Sequence, residues 1–377
     1  MYHLGGHRII DEFFELVSID AISRNEREIA DSVKVKLAEL GCRVEEDDAA
    51  THIGGNTGNI YAVLDGTIEG SILLSAHLDR VANGYGIKPR IDGSRIVSDR
   101  TTILAADDIS GVVAILDGVR RIKESGKPHP RIEIVFTVCE ENGVLGSKYL
   151  DYSKIKSKFG YVLDSPGRIG RIIKAAPSKA QLKFEVFGKA SHAGNAPENG
   201  INAIIAAAKI LAEIKDGRID EDSTANYAIF RAGGETTNIV CDYALVLGEV
   251  RSLIHDKLEK YCEYFNEHCK KAVEGTGARV KTDVVLYYKS FNVEEDGKAI
   301  SLMKRVFEKM GIDMVIERGG GGMDANHFNA NGIECVGLAT GYGDNHTFNE
   351  YIEIEDLIRS GEMVEQIITH AEEAKKY

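Results

Sequence analysis

Basic residues are in short supply in this chain. Only 46 Lys and Arg stand against 59 Asp and Glu, a net charge of -13 over 377 residues. That balance excludes a nucleic-acid partner, because phosphate backbones are held by clustered cations, and it excludes an anionic membrane surface for the same reason. Cysteines are few and scattered. None of the six (Cys42, Cys139, Cys241, Cys262, Cys269, Cys335) belongs to a C-x-x-C pair, which reads as reduced, mostly structural thiols in a cytoplasmic protein. The first segment interrupts its apolar residues with Asp11, Glu12 and Glu15, a composition that suits neither a signal peptide nor a membrane span. Repeats, heptads and charged tails are missing, so nothing supports a scaffold role. What remains is ordinary for a globular protein, 43% apolar and 28% charged, in a chain long enough for two domains.

Hydrophobic periodicity divides the chain into two textures. Ile9, Ile10, Phe13, Phe14 and Val17 recur at helical spacing, and a second amphipathic run leads from Asn25 to Gly41. Short apolar strands are expected over 59–64, 72–76, 132–138 and 161–163, with a helix over 111–122. Strand, helix and strand in that order predict an α/β fold with a largely parallel sheet. Near Pro177 the pattern changes. Residues 181–187 alternate as a half-solvated strand does. Helix 200–214, strands 227–231 and 243–250, helix 255–273 and strand 280–288 then complete β-α-β-β-α-β, the ferredoxin-like order. After residue 291 the first texture returns. The simplest division is a discontinuous α/β domain, residues 1–177 and 290–377, with a smaller α+β domain, 178–289, inserted into it.

In an open parallel sheet, ligands bind beyond the carboxyl ends of the strands, so the residues just past each expected strand are informative. Ile72–Ala76 leads to His77-Leu78-Asp79, and Ile103-Leu104-Ala105-Ala106 leads to Asp107-Asp108 at the start of a helix. The strand ending at Val138-Cys139 runs into Glu140-Glu141, and Tyr161-Val162-Leu163 into Asp164. Cys335–Leu338 leads through a glycine turn to Asp344-Asn345-His346. Singly, each has an ordinary explanation: a hydrogen-bonded structural His, an Asp capping a helix, a solvated Glu pair. All five together do not. Two imidazoles and several carboxylates without sulfur suit Zn²⁺, Mn²⁺ or Co²⁺. Their number exceeds the needs of one tetrahedral ion and matches two ions about 3.5–4 Å apart.

The segments His77-Leu78-Asp79, Ala106-Asp107-Asp108, Glu140-Glu141, Asp164 and His346 resemble the M20 metallopeptidases, most of all their tripeptide aminopeptidase (peptidase T) branch, over essentially the full length. The resemblance implies a zinc-peptidase catalytic domain carrying an inserted lid and dimerisation domain. It implies His77, Asp107 and Asp164 around one metal and Asp107, Glu141 and His346 around the other. Asp79 would orient His77, Glu140 would be the general base, and the Asp107–Asp108 peptide bond would be cis. In the lid, His192 in the segment 189–194 would donate to the oxyanion. Asn238 and Arg251 would meet the substrate, Arg251 as a fork for a carboxylate. The glycine run 319–322 would present N–H groups to a carboxylate or serve as a turn.

The activity so implied is hydrolysis of short peptides by a two-metal aminopeptidase, tripeptides first, with Glu140 taking the proton of the attacking water. The alternatives are another M20 hydrolase (a dipeptidase, a carboxypeptidase or an amidase of N-acyl amino acids) or a non-catalytic peptide-binding relative. A short peptide is the expected partner, and a second copy of the chain the other, through the lid domain.

Overall fold

A computed structural model describes residues 7–371. The chain divides between Ala176 and Pro177 and again between Ser290 and Phe291 into two compact units. The first unit is built on a nine-stranded sheet. Its centre is four strands in the order Arg131–Thr137, Ser71–His77, Phe159–Ser165, Glu334–Ala339, each parallel to its neighbours. These strands read as near-continuous apolar runs because both faces are covered. In Ser71–His77 and in Arg131–Thr137 every residue but the first is buried. The flanks are antiparallel: Ile60–Leu64 and Arg43–Glu46 on one side, Arg171–Ala176 and Phe291–Asn292 on the other, with Val315–Arg318 parallel to Arg171–Ala176. The sheet is therefore mixed and mostly parallel at its core.

One expected strand is not there. Residues 103–105 form no ladder, and the helix Ala106–Ser125 begins directly after them. The N–H groups of Leu104 and Ala105 donate to the carboxylate of Glu350 (2.7 and 2.9 Å) where a strand would offer them to a neighbour. Ala105 also adopts φ +58°, outside the extended region. The helix itself is irregular at Asp107 and Asp108, whose φ/ψ are non-helical, and the peptide bond between them is cis.

That helix packs on the helix Ile354–His370 at close range. A Cβ on Gly118 would stand 2.4 Å from Cγ1 of Val364, and one on Gly361 would stand 2.4 Å from Oδ2 of Asp117. Asp117 is buried beside them and ion-paired to Arg121 (2.6 Å) and Arg8 (3.2 Å).

The second unit has the ferredoxin-like order. Strands Ser178–Phe187, Ser223–Ala232, Tyr243–Ser252 and Arg279–Tyr288 are joined by helices Ala203–Glu213 and His255–Ala272, with a two-residue strand, Gly217–Arg218, added at one edge. In the antiparallel sheet Ser178–Phe187 lies between Tyr243–Ser252 and Arg279–Tyr288. Its alternation is strict: Ala180, Leu182, Phe184 and Val186 are buried and the residues between them are not. The buried face meets Ala206, Ala207 and Ile210 of one helix and Leu258, Phe265 and Cys269 of the other. Asn202 caps the first helix, accepting from the N–H groups of Ile204 (2.9 Å) and Ile205 (3.3 Å). All six cysteines are free, and no helix of the described residues is long and apolar enough to cross a membrane.

Gly118→Ala forces the two helices of the first unit apart. It is expected to destabilise the protein by about 1–3 kcal/mol, read as a lowered midpoint in denaturant unfolding.

Candidate metal centre

Parallel alignment brings the carboxyl ends of the four central strands to one rim. His77 is the last residue of its strand, and in the ladder it stands opposite Thr137, just before Glu140 and Glu141. Asp164 is the penultimate residue of Phe159–Ser165. Beyond Glu334–Ala339 and the short strand Tyr342–Gly343, the following turn carries His346.

The centre is organised around Asp107. Its Oδ1 lies 3.1 Å from Nε2 of His77, and its Oδ2 lies 3.3 Å from Nε2 of His346. One carboxylate thus stands between two imidazoles. Asp164 approaches His77 on the first side (3.8 Å), and Glu141 approaches His346 on the second (2.8 Å). The ligand atoms of His77, Asp107 and Asp164 all lie within 4.8 Å of one another, and so do those of Asp107, Glu141 and His346. Asn345 donates to Oδ2 of Asp107 (2.7 Å), and the hydroxyl of Tyr342 donates to Asp164 (3.1 Å).

The tautomer of His77 is set by its other nitrogen. Nδ1 lies 2.9 Å from the carbonyl oxygen of Asp79, which can only accept, so Nδ1 carries a proton and Nε2 is the nitrogen that faces Asp107 and Asp164, free to release its own proton to a metal ion. The Asp79 carboxylate, to which the resemblance gives this job, faces the same nitrogen at 3.5 Å, beside its own carbonyl. Its main contacts are elsewhere. Oδ1 accepts the N–H of Glu140 (2.8 Å), and Oδ2 accepts the N–H of Glu141 (3.2 Å) and the hydroxyl of Ser23 (2.6 Å).

Each adjacent pair of acids divides its work. Asp108, one residue past Asp107, accepts from the N–H groups of His77 (3.1 Å) and Gly111 (3.2 Å). It ties the strand end to the first regular turn of the helix. In the second pair, Glu141 meets His346, whereas the carboxylate of Glu140 is buried and accepts no hydrogen bond among the described residues. Burial first, then the charge of Asp164, pushes Glu140 well above the usual carboxylate range.

The same forces act through the whole centre. Burial and then neighbouring carboxylates raise Asp108 and Asp164, and burial raises Asp324 against the pull of its hydrogen bonds from Ser147 and Thr137. Hydrogen bonds to Asp107 and then Glu141 lift His346 to about 10. Burial works against the positive charge of His77, yet its bonds to Asp107 and Asp79 hold it well above its ordinary value. So many acids converging on two imidazoles is a donor set that a pair of cations would neutralise. Oxygen and imidazole ligands without sulfur fit hard-to-borderline divalent ions.

Two buried acids carry no signal in the sequence. Glu350 accepts the N–H groups of Leu104, Ala105 and Asp107 (3.1 Å), and burial raises it to about 7. Asp324 accepts from the hydroxyls of Thr137 and Ser147. The first sits four residues past His346 and the second at the end of the glycine run, so position was the only available clue. In that run, Gly319 donates its N–H to the carbonyl of Ala175 (2.7 Å). Backbone conformation marks the same region. Ala105, Cys139, Asp344 and His346, all non-glycine, adopt φ between +53° and +63°, a conformation that clusters at functional sites.

In the second unit His192 and Asn238 are brought together. His192 bridges to Ile239, and the N–H of Ala193 donates to the carbonyl of Asn238 (2.9 Å). Nδ1 of His192 accepts from the N–H groups of Gly194 (3.2 Å) and Asn195 (3.1 Å). Two donors on Nδ1 require a lone pair there, which leaves the proton on Nε2 as an outward donor. Arg251 is not part of this pair. It lies eight residues beyond Tyr243 in its strand, about 26 Å along the sheet, with Nε donating to Glu249 (2.7 Å).

Residues 73–370 match the peptidase family M20/M25/M40. The chain is 40% identical over 365 residues to the uncharacterized protein YqjE of Bacillus subtilis strain 168, covering 97% of this chain and 98% of that one. The crystal structure of aminopeptidase PepT from Bacillus cereus ATCC 10987 is 40% identical and superposes with a TM-score of 0.89 over 97% of this chain and 98% of that chain. A tripeptidase from Staphylococcus aureus subsp. aureus mu50 is 32% identical, with a TM-score of 0.92 over 98% of both. By the extent of the family match and of these relatives, the chain belongs to peptidase family M20/M25/M40.

Proposed function

We propose that this chain is a two-metal aminopeptidase acting on short peptides, tripeptides first. The observation that carries the reading is Asp107, with one carboxylate oxygen toward each of two imidazoles, a placement that lets one carboxylate serve two ions. His77, Asp107 and Asp164 would hold one and Asp107, Glu141 and His346 the other, zinc being the first choice and manganese or cobalt suited to the same donors. When bound, such a pair supplies Lewis acidity toward the scissile carbonyl and lowers the pKa of water toward neutrality.

Glu140 carries the proton. Its carboxylate takes it from the attacking water as the carbon–oxygen bond forms. It returns it to the amine nitrogen as the carbon–nitrogen bond breaks. The burial that raises its affinity for protons suits the second half of that cycle. His192, with its proton on Nε2, is assigned to the oxyanion, and Asn238 beside it to the substrate amide. Arg251, whose guanidinium suits a carboxylate, is assigned to the substrate as well. The preference for a free tripeptide is supported by the aminopeptidase and tripeptidase among the similar structures.

A second copy of the chain is the remaining partner in this reading. Among the described residues the edge strand Arg279–Tyr288 has its outer side unpaired, and it exposes Val285 and Leu286; an edge of that length invites covering. A solution mass of twice 41.3 kDa is expected; a strictly monomeric mass removes the second copy.

Glu140→Gln is expected to keep its divalent ions and to lose about 10²–10⁴-fold in kcat, and full activity in that variant would end the assignment of the base. A panel of Ala-Ala-Ala, an N-blocked tripeptide and an N-acyl amino acid checks the substrate class. The free tripeptide is expected to be cleaved from its amino end. Cleavage of only the blocked compounds would shift the reading to a carboxypeptidase or an amidase.

A further inference from the structure

The turn that carries Glu140 and Glu141 is held in an unusual way. After Thr137 the strand ends, and the next four backbone N–H groups meet no backbone partner. Val138 donates to Oδ1 of Asn59 (3.2 Å), Cys139 to Oε1 of Glu26 (3.0 Å), Glu140 to Oδ1 of Asp79 (2.8 Å) and Glu141 to Oδ2 of Asp79 (3.2 Å). Cys139 in the middle has φ +54°, which a β-strand does not supply. The direction in which Glu140 leaves the chain is therefore set by acceptors from three other segments.

Glu26 is the one among them whose presence nothing else explains. It precedes the helix Arg27–Glu39, yet its side chain makes no capping bond to that helix. It is fully buried. Besides Cys139 it accepts the N–H of Arg24 (2.8 Å), and its Oε2 has no hydrogen-bond partner. A buried carboxylate with an unpartnered oxygen is costly, and packing alone would favour an apolar side chain. The loop it stands on is fixed to the centre independently. The N–H of Ser23 donates to the carbonyl of Arg80 (3.2 Å), the N–H of Arg80 to the carbonyl of Ala21 (3.0 Å), and the Ser23 hydroxyl to Asp79. Ser23 and Glu26, three residues apart, thus reach the two sides of one clamp, Ser23 through Asp79 and Glu26 directly.

We propose that Glu26 is a positioning residue for Glu140: together with Asp79 it holds three successive N–H groups of residues 139–141 and so aims the proton-carrying carboxylate. The proposal rests on the role given to Glu140 above. Loss of the Glu26 acceptor frees the Cys139 N–H, lets the turn relax toward an ordinary φ, and misdirects Glu140 without touching the substrate.

Kinetics of Glu26→Ala, with and without Glu140→Gln, test it on the metal-loaded full chain. Alone, Glu26→Ala is expected to lower kcat about 10–100-fold, the usual effect of removing a supporting partner of a site, with KM changed less than about threefold and divalent-ion content unchanged. In the Glu140→Gln background it is expected to cost almost nothing more, because the group it aims is gone. Glu26→Gln, which keeps an oxygen acceptor, is expected to restore most of the rate. If the alanine variant does not fold, Glu26→Asp keeps the charge, withdraws the oxygen by one methylene and serves in its place. An equal loss in both backgrounds, a loss carried by KM or by metal content, or wild-type kcat in the alanine or aspartate variant overturns the proposal. Full activity in Glu140→Gln alone would overturn the assignment of the base instead, and the positioning role with it, so the two failures are told apart by which variant reports them.

Discussion

Four neighbouring strands can all run parallel only if every connection between them crosses back over the sheet, and this puts all their carboxyl ends on one rim. His77, Glu140, Glu141, Asp164 and His346 are spread over about 270 residues of chain, and this constraint alone makes them neighbours. Asp107 reaches the same rim from the start of the helix that crosses between two of these strands. Its position depends on Glu350, which accepts its own N–H and those of Leu104 and Ala105 in the loop before it. The close contact of Gly118 with Val364 seats that helix against the helix Ile354–His370.

Placing so many acids in a buried rim carries an electrostatic cost, and the chain handles it by giving the acids two kinds of work. Asp107, Glu141 and Asp164 face imidazoles. Asp79, Asp108, Glu26 and Glu350 bind backbone N–H groups, which partly compensate a buried carboxylate and fix the chain at the same time. Asp324 takes two hydroxyls in the same way. The acids that bind backbone set the directions of those that face inward. In the pair Asp107-Asp108 the two kinds of work fall on adjacent residues: Asp108 holds the frame and Asp107 faces the centre.

The second unit solves a simpler problem. Two helices cover one face of an antiparallel sheet, and the sequence alternation in residues 178–187 is the direct record of it. The role proposed for it lies in a loop, where two backbone donors on Nδ1 of His192 leave the other nitrogen to donate. That orientation depends on local turns, so it survives whatever the unit as a whole does.

Much of this is legible in the sequence because the physics is local. Period-two alternation and apolar runs reveal the strands, helical spacing reveals the helices, and the residues ending the apolar runs point to His77, Asp164 and the Glu140-Glu141 pair. The run 103–106 misleads the same logic: it is as apolar as a strand, but Glu350, 245 residues from Ala105, takes its N–H groups. Asp79 does more than its position suggests: carbonyl and carboxylate both face His77, and the carboxylate also holds the turn. Glu26, Asp324 and Glu350 carry no local signal, since an acid that binds distant backbone looks like any other acid. By itself the sequence determined which segments become strands and helices, and which side chains stand at their ends, because those choices rest on burial periods a few residues long. Only the tertiary structure decided which of those ends share a rim and which carboxylates face inward, because hydrogen bonds between segments far apart in the chain exist only once the sheet has closed them together.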